Sequence, residues 1–272
     1  MCRAGGRPQD KDNYATFIEE MRVAFESEAR QTGKERLLIS MAVPASLEYA
    51  GQGYAIDRLN EALDFFNLLT YDYHSAHEPA VNHHSPLYRW ADNFKYVLNL
   101  ASRPDEWSDF DFRHDLNIDT TIRFYISHGA SRHKLVLGIP TYGRSYTLAN
   151  PDAHEISSPT VGPGEKGEGT KEDGYLAYYE ICQKVLDEGW DLVTQYPGIM
   201  GPYAHKGDQW VGFDDVDIAV EKAFYVAEEE LGGIMFWTID NDDFRGICSK
   251  TPYPLIESAK EAMYSVESTV KT

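Results

Sequence analysis

Cysteine is scarce in this chain and odd in number. Cys2, Cys182 and Cys248 are all it has. That is too few for a disulfide framework or a zinc site, and the redox compartment stays unread. No apolar run approaches the roughly 20 residues that span a bilayer, so no membrane contact is expected from this segment. The opening residues, Met1 to Pro8, hold no apolar stretch of the kind a signal peptide needs, and none is expected here. Positive charge is also short: 25 Lys and Arg stand against 44 Asp and Glu, a net −19. Such a surface repels phosphate backbones, which argues against nucleic acid as a partner. The acidity reads most simply as solubility. Internal repeats and low-complexity tracts are absent.

What is present is enough for a core. Hydrophobic residues make up 42% of the 272, and aromatics 13%, with 18 Tyr and 5 Trp. Core packing accounts for most of these rings; flat surfaces for stacking sugar rings are the functional alternative. The length fits one large domain or two small ones.

Periodicity divides the chain. Tyr14, Phe17, Ile18, Met21 and Phe25 recur on one helix face, and Leu37 to Val43 reads as a buried strand. A short helix with Leu59 and Leu63 leads into the strand Phe65 to Tyr73, and a long polar loop runs from His74 to about Leu116. Asn117 is placed to cap a helix carrying Ile118, Ile122, Tyr125 and Ile126, which Gly129 closes. The strand Lys134 to Pro140 follows. From about 145 to 213 the pattern changes to short strand-like pieces and turns, with one helix near Tyr175 to Leu186, and this reads as an inserted α+β lobe. Helix Asp215 to Leu231, strand Gly233 to Ile239 and a last helix near Pro254 to Tyr264 complete the chain. Outside the insertion, helices and strands alternate, which predicts parallel strands covered by helices. Four such strands are clear, whereas a closed barrel of this class has eight, so two open edges are expected.

Two strands end in chemistry-bearing residues. Phe65–Leu69 runs into Thr70-Tyr71-Asp72-Tyr73, and Gly233–Phe236 into Trp237, Asp240, Asp242 and Asp243. Chemistry in α/β barrels sits at the carboxyl ends of the strands. A capping Asp and a core Tyr explain Tyr71-Asp72 as well from position alone. Trp237 either floors a sugar subsite or plugs the sheet. The acids after it read more cheaply as caps and solvated groups than as metal ligands. Arg144, two residues past Tyr142, either reaches a ligand or makes a structural ion pair. His74, His77, Glu78, His83 and His84 lie close in sequence but match neither usual helix motif for zinc, so cleft lining is preferred and no metal is expected. Gly162 to Gly167 spells G-x-G-x-x-G without the strand and helix a dinucleotide site needs, and reads as a flexible turn.

Tyr71-Asp72, Gly138-Ile139-Pro140-Thr141-Tyr142-Gly143-Arg144-Ser145-Tyr146, Trp210-Val211-Gly212-Phe213-Asp214-Asp215 and Gly233-Ile234-Met235-Phe236-Trp237 occur in that order. As a set they resemble glycoside hydrolase family 18 chitinases. The stretches from Tyr71 to Glu78 and Asn82 to Tyr88 look most like arthropod chitinases with tandem catalytic domains and a membrane anchor. The resemblance implies a (β/α)8 TIM barrel with an α+β insertion between its seventh and eighth strands. This chain would then supply about strands five to eight: a partial barrel over 1–144, the lobe over 145–213, and the last strand and C-terminal helix over 214–272. It implies chitin or chito-oligosaccharide as partner, no cofactor and an extracellular setting. Hydrolysis in the family is substrate-assisted and retaining: a Glu protonates the glycosidic oxygen, and the sugar's own acetamido oxygen attacks the anomeric carbon.

By the same resemblance Tyr71 would hold the acetamido group, and Asp72 would tune the acid and bind sugar. Trp237 would floor the cleavage subsite, while Arg144, Tyr142, Tyr73 and His77 would line the cleft. The chain departs from the family in three places. Leu69 stands where Met is usual, and His77 where many members carry Trp. The D-x-x-D-x-D-x-E motif that ends in the acid is absent, and residues 1–14 resemble the stretch just after it. The chain is therefore expected to be the C-terminal part of a chitinase domain, inactive by itself. A truncated, lectin-like chitin binder is the alternative.

Overall fold

A computed structural model describes residues 6–90 and 116–270, with side chains as far as 266. Cys2 and the segment 91–115 of the expected polar loop lie outside the described residues. Two sheets organise the rest. The first has four parallel strands, β1 (Ser40–Pro44), β2 (Phe65–Leu69), β3 (Leu135–Pro140) and β10 (Gly233–Trp237), side by side in that order. It is open, not closed into a barrel, and β1 and β10 are its edges.

Alternation along these strands sets the core. Met41, Val43, Phe66, Leu68, Leu135, Leu137 and Ile139 are buried, and they pack with Ile18, Leu59, Ile118, Ile122 and Tyr125 from three helices. Those helices are α1 (Asp10–Thr32), α3 (Ile56–Ala62) and α4 (Ile118–Ser127); the short α2 (Leu47–Gly53) lies between α1 and α3 in sequence. Asn117 caps α4 as expected, its side chain accepting the Thr120 N–H at 2.9 Å. The predicted face of α1 holds at Tyr14, Ile18, Met21 and Phe25 but fails at Phe17, which is 53% exposed.

The first strand is shorter than predicted, because Leu37 and Leu38 are exposed and pairing begins at Ser40. Asp64 explains the difference. Its carboxylate accepts from Ile39 N–H at 2.7 Å and from Arg36 at 2.6 and 3.1 Å, so a side chain takes the place of a ladder partner. Hydrogen bonding to Arg36 outweighs partial burial and holds this carboxyl far below the ordinary range.

The second sheet is antiparallel: β5 (Thr160–Pro163), β4 (Tyr142–Leu148), β9 (Gln209–Phe213), β8 (Tyr203–Lys206) and β7 (Asp191–Val193) in order, with β6 (Tyr175–Ala177) also on β4. Tyr175 thus sits in a strand, and the helix predicted from it, α5 (Tyr178–Asp187), starts three residues later. One face packs Val211 and Phe213 on α5, α6 (Val216–Glu228) and α7 (Pro254–Val270); the other buries Tyr146, Tyr203 and Trp210. The glycine-rich stretch is not a free turn. Gly162 lies in β5, and the N–H of Gly169 just beyond donates to the buried Glu180 carboxylate at 2.6 Å.

Cys182 of α5 and Cys248 form a disulfide, with Cα atoms 6.0 Å apart. The bond ties the antiparallel unit to the segment after β10. Asp242 and Asp243 are buried and not solvated: Asp242 caps, as expected, accepting from Ile256 N–H at 3.1 Å at the start of α7, whereas Asp243 holds a turn, accepting from Cys248 N–H at 2.7 Å. Among the described residues, no helix is long and apolar enough to cross a membrane.

Candidate functional site

The carboxyl ends of β2, β3 and β10 meet at one corner of the parallel sheet, and the backbone there is closely pinned. Thr70, just past β2, extends the ladder with its side chain: Oγ1 donates to the Gly138 carbonyl at 2.6 Å and accepts the Gly138 N–H at 2.9 Å. Gly138 must be glycine, because a Cβ there would sit 2.3 Å from the Leu68 carbonyl and 2.9 Å from the Tyr71 ring. Past β3, Thr141 donates its N–H to the Trp237 carbonyl at 3.0 Å and its hydroxyl to the Thr238 carbonyl at 2.5 Å.

Asp72 is the centre of what these ends present. Its φ is +57°, a left-handed conformation that Asp tolerates better than most residues. Arg144 grips the carboxylate with two parallel bonds, Nε to Oδ1 and Nη2 to Oδ2, each 2.8 Å. The Tyr142 hydroxyl donates to Oδ1 at 2.9 Å. His84 Nδ1 lies 3.5 Å from the same oxygen. Burial opposes ionisation of Asp72, but contacts with His84 and Arg144 outweigh it and hold the carboxyl well below its ordinary value. The same burial, reinforced by the Asp72 charge, raises the Tyr142 phenol far above the ordinary range, so it remains a donor.

Rings frame this carboxylate. Tyr142 stacks on Tyr175 with centroids 4.6 Å apart and planes at 22°, and Tyr71 meets Tyr142 edge-on at 6.1 Å. The Arg144 guanidinium carbon lies 5.3 Å from the Tyr142 ring centre and 5.2 Å from that of Tyr175. Asn241 donates to the Tyr175 hydroxyl at 2.7 Å. The Tyr71 hydroxyl is buried and has no hydrogen-bond partner among the described residues, an unmet position beside Asp72. Burial raises it above the ordinary phenol range, so it too stays protonated.

Of the residues singled out in sequence, Tyr71, Asp72, Tyr142 and Arg144 come together. Trp237 stands at the same strand-end level, opposite Pro140 in register, and is 53% exposed. His77 is exposed on the following loop. Tyr73 is directed elsewhere: it is buried in the main core, and its hydroxyl bonds Thr121 at 2.7 Å. Two contributors were not singled out. Tyr175 and Asn241 come from β6 and the turn after β10, and no local pattern marks them. His84 stood in the loop read as cleft lining, but it is fully enclosed under Asp72. Its neighbour His83 is buried as well, and His74 pairs instead with Glu78 at 2.8 Å.

The carboxylate, arginine and tyrosines stand at strand ends, where α/β folds carry their chemistry, and comparison with known proteins gives the family. Residues 3–242 match the profile of the family described as Glycosyl hydrolases family 18. The chain belongs to that family, whose fold is of the TIM-barrel type. It is 37% identical to chitotriosidase-1 of Mus musculus over 263 residues, covering 95% of this chain and 52% of that protein. The arthropod likeness is met by catalytic domain 2 of the Group II chitinase of Ostrinia furnacalis: TM-score 0.82, 34% identity, 96% of this chain and 62% of that one. Human YKL-39, described as a pseudo-chitinase with retained chitooligosaccharide binding properties, gives TM-score 0.82 at 35% identity over 94% of this chain and 66% of its own. The chain thus spans about half the length of the curated chitotriosidase.

Proposed function

We propose that this chain carries the acetamido-holding side of a family 18 chitin site, and that by itself it binds chito-oligosaccharides without cleaving them. One observation carries the reading. A carboxylate kept anionic by Arg144 and Tyr142 sits beside a tyrosine hydroxyl, Tyr71, that has no partner among the described residues. An N-acetyl carbonyl would accept from that hydroxyl and be aligned for attack on its own sugar carbon. Asp72 would receive the acetamido N–H and favour positive charge developing at that group. Trp237, half exposed at the strand end, offers a flat face to a pyranose ring.

Protonation of the leaving oxygen needs a separate acid. None of the 272 residues completes D-x-x-D-x-D-x-E, so that step would depend on a group outside this chain. In the same reading the four parallel strands correspond to strands five to eight of the family barrel. The divisions at 144 and 213 separate barrel from lobe; the antiparallel sheet spans 142–213, which supports the second division and puts the first within two residues of the start of β4. An extracellular setting is supported by the Cys182–Cys248 disulfide, since such bonds persist in oxidising compartments.

The test is calorimetric titration of the purified chain with chitotetraose, with a reducing-end assay on the same mixture. Saturable binding without new reducing ends is expected. Absence of binding overturns the site reading, and release of reducing ends overturns the claim that the chain does not hydrolyse. The YKL-39 comparison favours binding without catalysis as a stable outcome for this fold.

A further inference from the structure

Behind the candidate site lies a second set of charged groups, completely enclosed. Lys222 of α6 and Asp214, just past β9, form an ion pair whose side chains are both 0% exposed. The ammonium also donates to the Ser85 carbonyl and to Ser85 Oγ, each at 2.8 Å, so its three protons have three acceptors. Ser85 Oγ donates its own hydrogen bond to the Thr70 carbonyl at 2.8 Å. His83 accepts the Ser85 N–H on Nδ1 at 3.1 Å, and its Nε2 donates to the Phe213 carbonyl at 2.9 Å. The His83 ring stacks on His84, with centroids 5.7 Å apart and planes at 20°.

His84 is where this network meets the site. Its Nε2 donates to the Tyr142 carbonyl at 3.1 Å, and its Nδ1 faces the Asp72 amide at 3.4 Å. Its own carbonyl accepts the Tyr73 N–H at 3.0 Å. The residues on both sides of Tyr71 and Asp72 are therefore tied to the His83–Ser85 turn, and that turn is tied to Lys222.

Stability alone is a poor reason for this arrangement. Well-packed apolar residues replace a buried ion pair with little loss, and often with a gain. Among the described residues Asp214 Oδ1 has no hydrogen-bond partner, and His83 Nε2 stands 3.7 Å from it. What the pair adds is direction: one ammonium fixes two atoms of Ser85 and therefore the orientation of the turn.

We propose that Lys222 and Asp214 are positioning residues that hold the His83–Ser85 turn in one conformation and, through His84 and Thr70, set Asp72 and Tyr71 for sugar binding. The proposal rests on the reading of Asp72 and Tyr71 as sugar contacts. Neither Lys222 nor Asp214 touches the sugar in it.

The test uses the full chain, chitotetraose as probe and the ¹⁵N signals of the histidine rings as reporter. Lys222→Met alone strands a buried carboxylate and is expected to destabilise. Asp214→Leu with Lys222→Met removes both charges and is expected to bring the melting temperature back near that of the unsubstituted chain. In this double variant the ¹⁵N signals of the His84 ring should shift, and Kd for chitotetraose should rise about tenfold, the scale of one oriented hydrogen bond. Asn60→Ala supplies the control. It removes the acceptor for Ser131 N–H at 2.9 Å, away from this network, and should lower melting while leaving His84 and Kd unmoved. A folded double variant with unchanged His84 signals and unchanged Kd overturns the proposal. If the double variant does not fold, Ser85→Ala, which deletes the oxygen joining Lys222 to Thr70, must show the same changes or the proposal fails. If the unsubstituted chain does not bind chitotetraose, the sugar reading falls, and the His84 signals alone decide the positioning role.

Discussion

Asp72 and Arg144 illustrate how little a surface count of ion pairs says about a site. The Asp72 side chain is 42% exposed, so its pairing adds little to folding stability after solvent screening. Its effect is on protonation. The folded state holds this carboxyl below the ordinary value, so its contribution to stability is complete above the unfolded pKa, about 4, and is lost only as pH falls through the lower folded value. Arg144→Ala should move that loss to higher pH and weaken chito-oligosaccharide binding about tenfold or more; a ¹³C titration of the Asp72 carboxyl checks the first and calorimetry the second. Tyr71→Phe separates binding from stability in the other direction. Deleting an unpartnered buried hydroxyl should leave the melting temperature unchanged or slightly raised while binding is lost. Tyr71, Asp72 and Arg144 were singled out in sequence because each closely follows the end of an apolar strand, and Tyr142 entered with the family resemblance. Tyr175 and Asn241 were not singled out, because what makes them part of the site is contact across the fold: Tyr142 meets Tyr175, and Asn241 meets Tyr175 in turn.

Elements were read well where their ends carry local chemistry. Helix α4 announced itself through Asn117, and Asn117→Ala should cost about 1 kcal/mol, measurable by urea denaturation. Strand β1 was overextended because apolar residues at 37 and 38 imitate a ladder, and nothing local shows that Asp64 has already claimed the Ile39 N–H. Asp64→Ala should therefore release residues 36–39 and cost about 1–3 kcal/mol, with faster amide exchange at Ile39 as its signature. Gly138 makes a sharper case. A methyl group there collides with the β2 backbone and the Tyr71 ring at once, so Gly138→Ala should impair folding and chitotetraose binding together.

For the whole molecule, alternation of helix and strand revealed the parallel sheet, and the change of pattern near 145 falls close to where the antiparallel sheet begins. The order of the antiparallel strands was not legible, because short strands in a lobe of turns pair by topology and not by pattern. Nor was the disulfide, since three cysteines give no rule for choosing two. That bond closes a loop with a sequence separation of 66, for which chain entropy assigns about 4 kcal/mol. Reduction should lower the melting temperature by several degrees, and Cys248→Ser should reproduce the shift without reductant.

The left-handed backbone at Asp72 bears on which sequences this corner tolerates. A φ of +57° filters by conformation, and the grip of Arg144 filters by charge. Glycine and asparagine satisfy the first filter, and glutamate the second; aspartate alone meets both. A library of all residues at this position, sorted once for soluble expression and once for capture on chitin, should return two different survivors' lists. Asparagine and glycine would be prominent in the first, and aspartate would dominate the second.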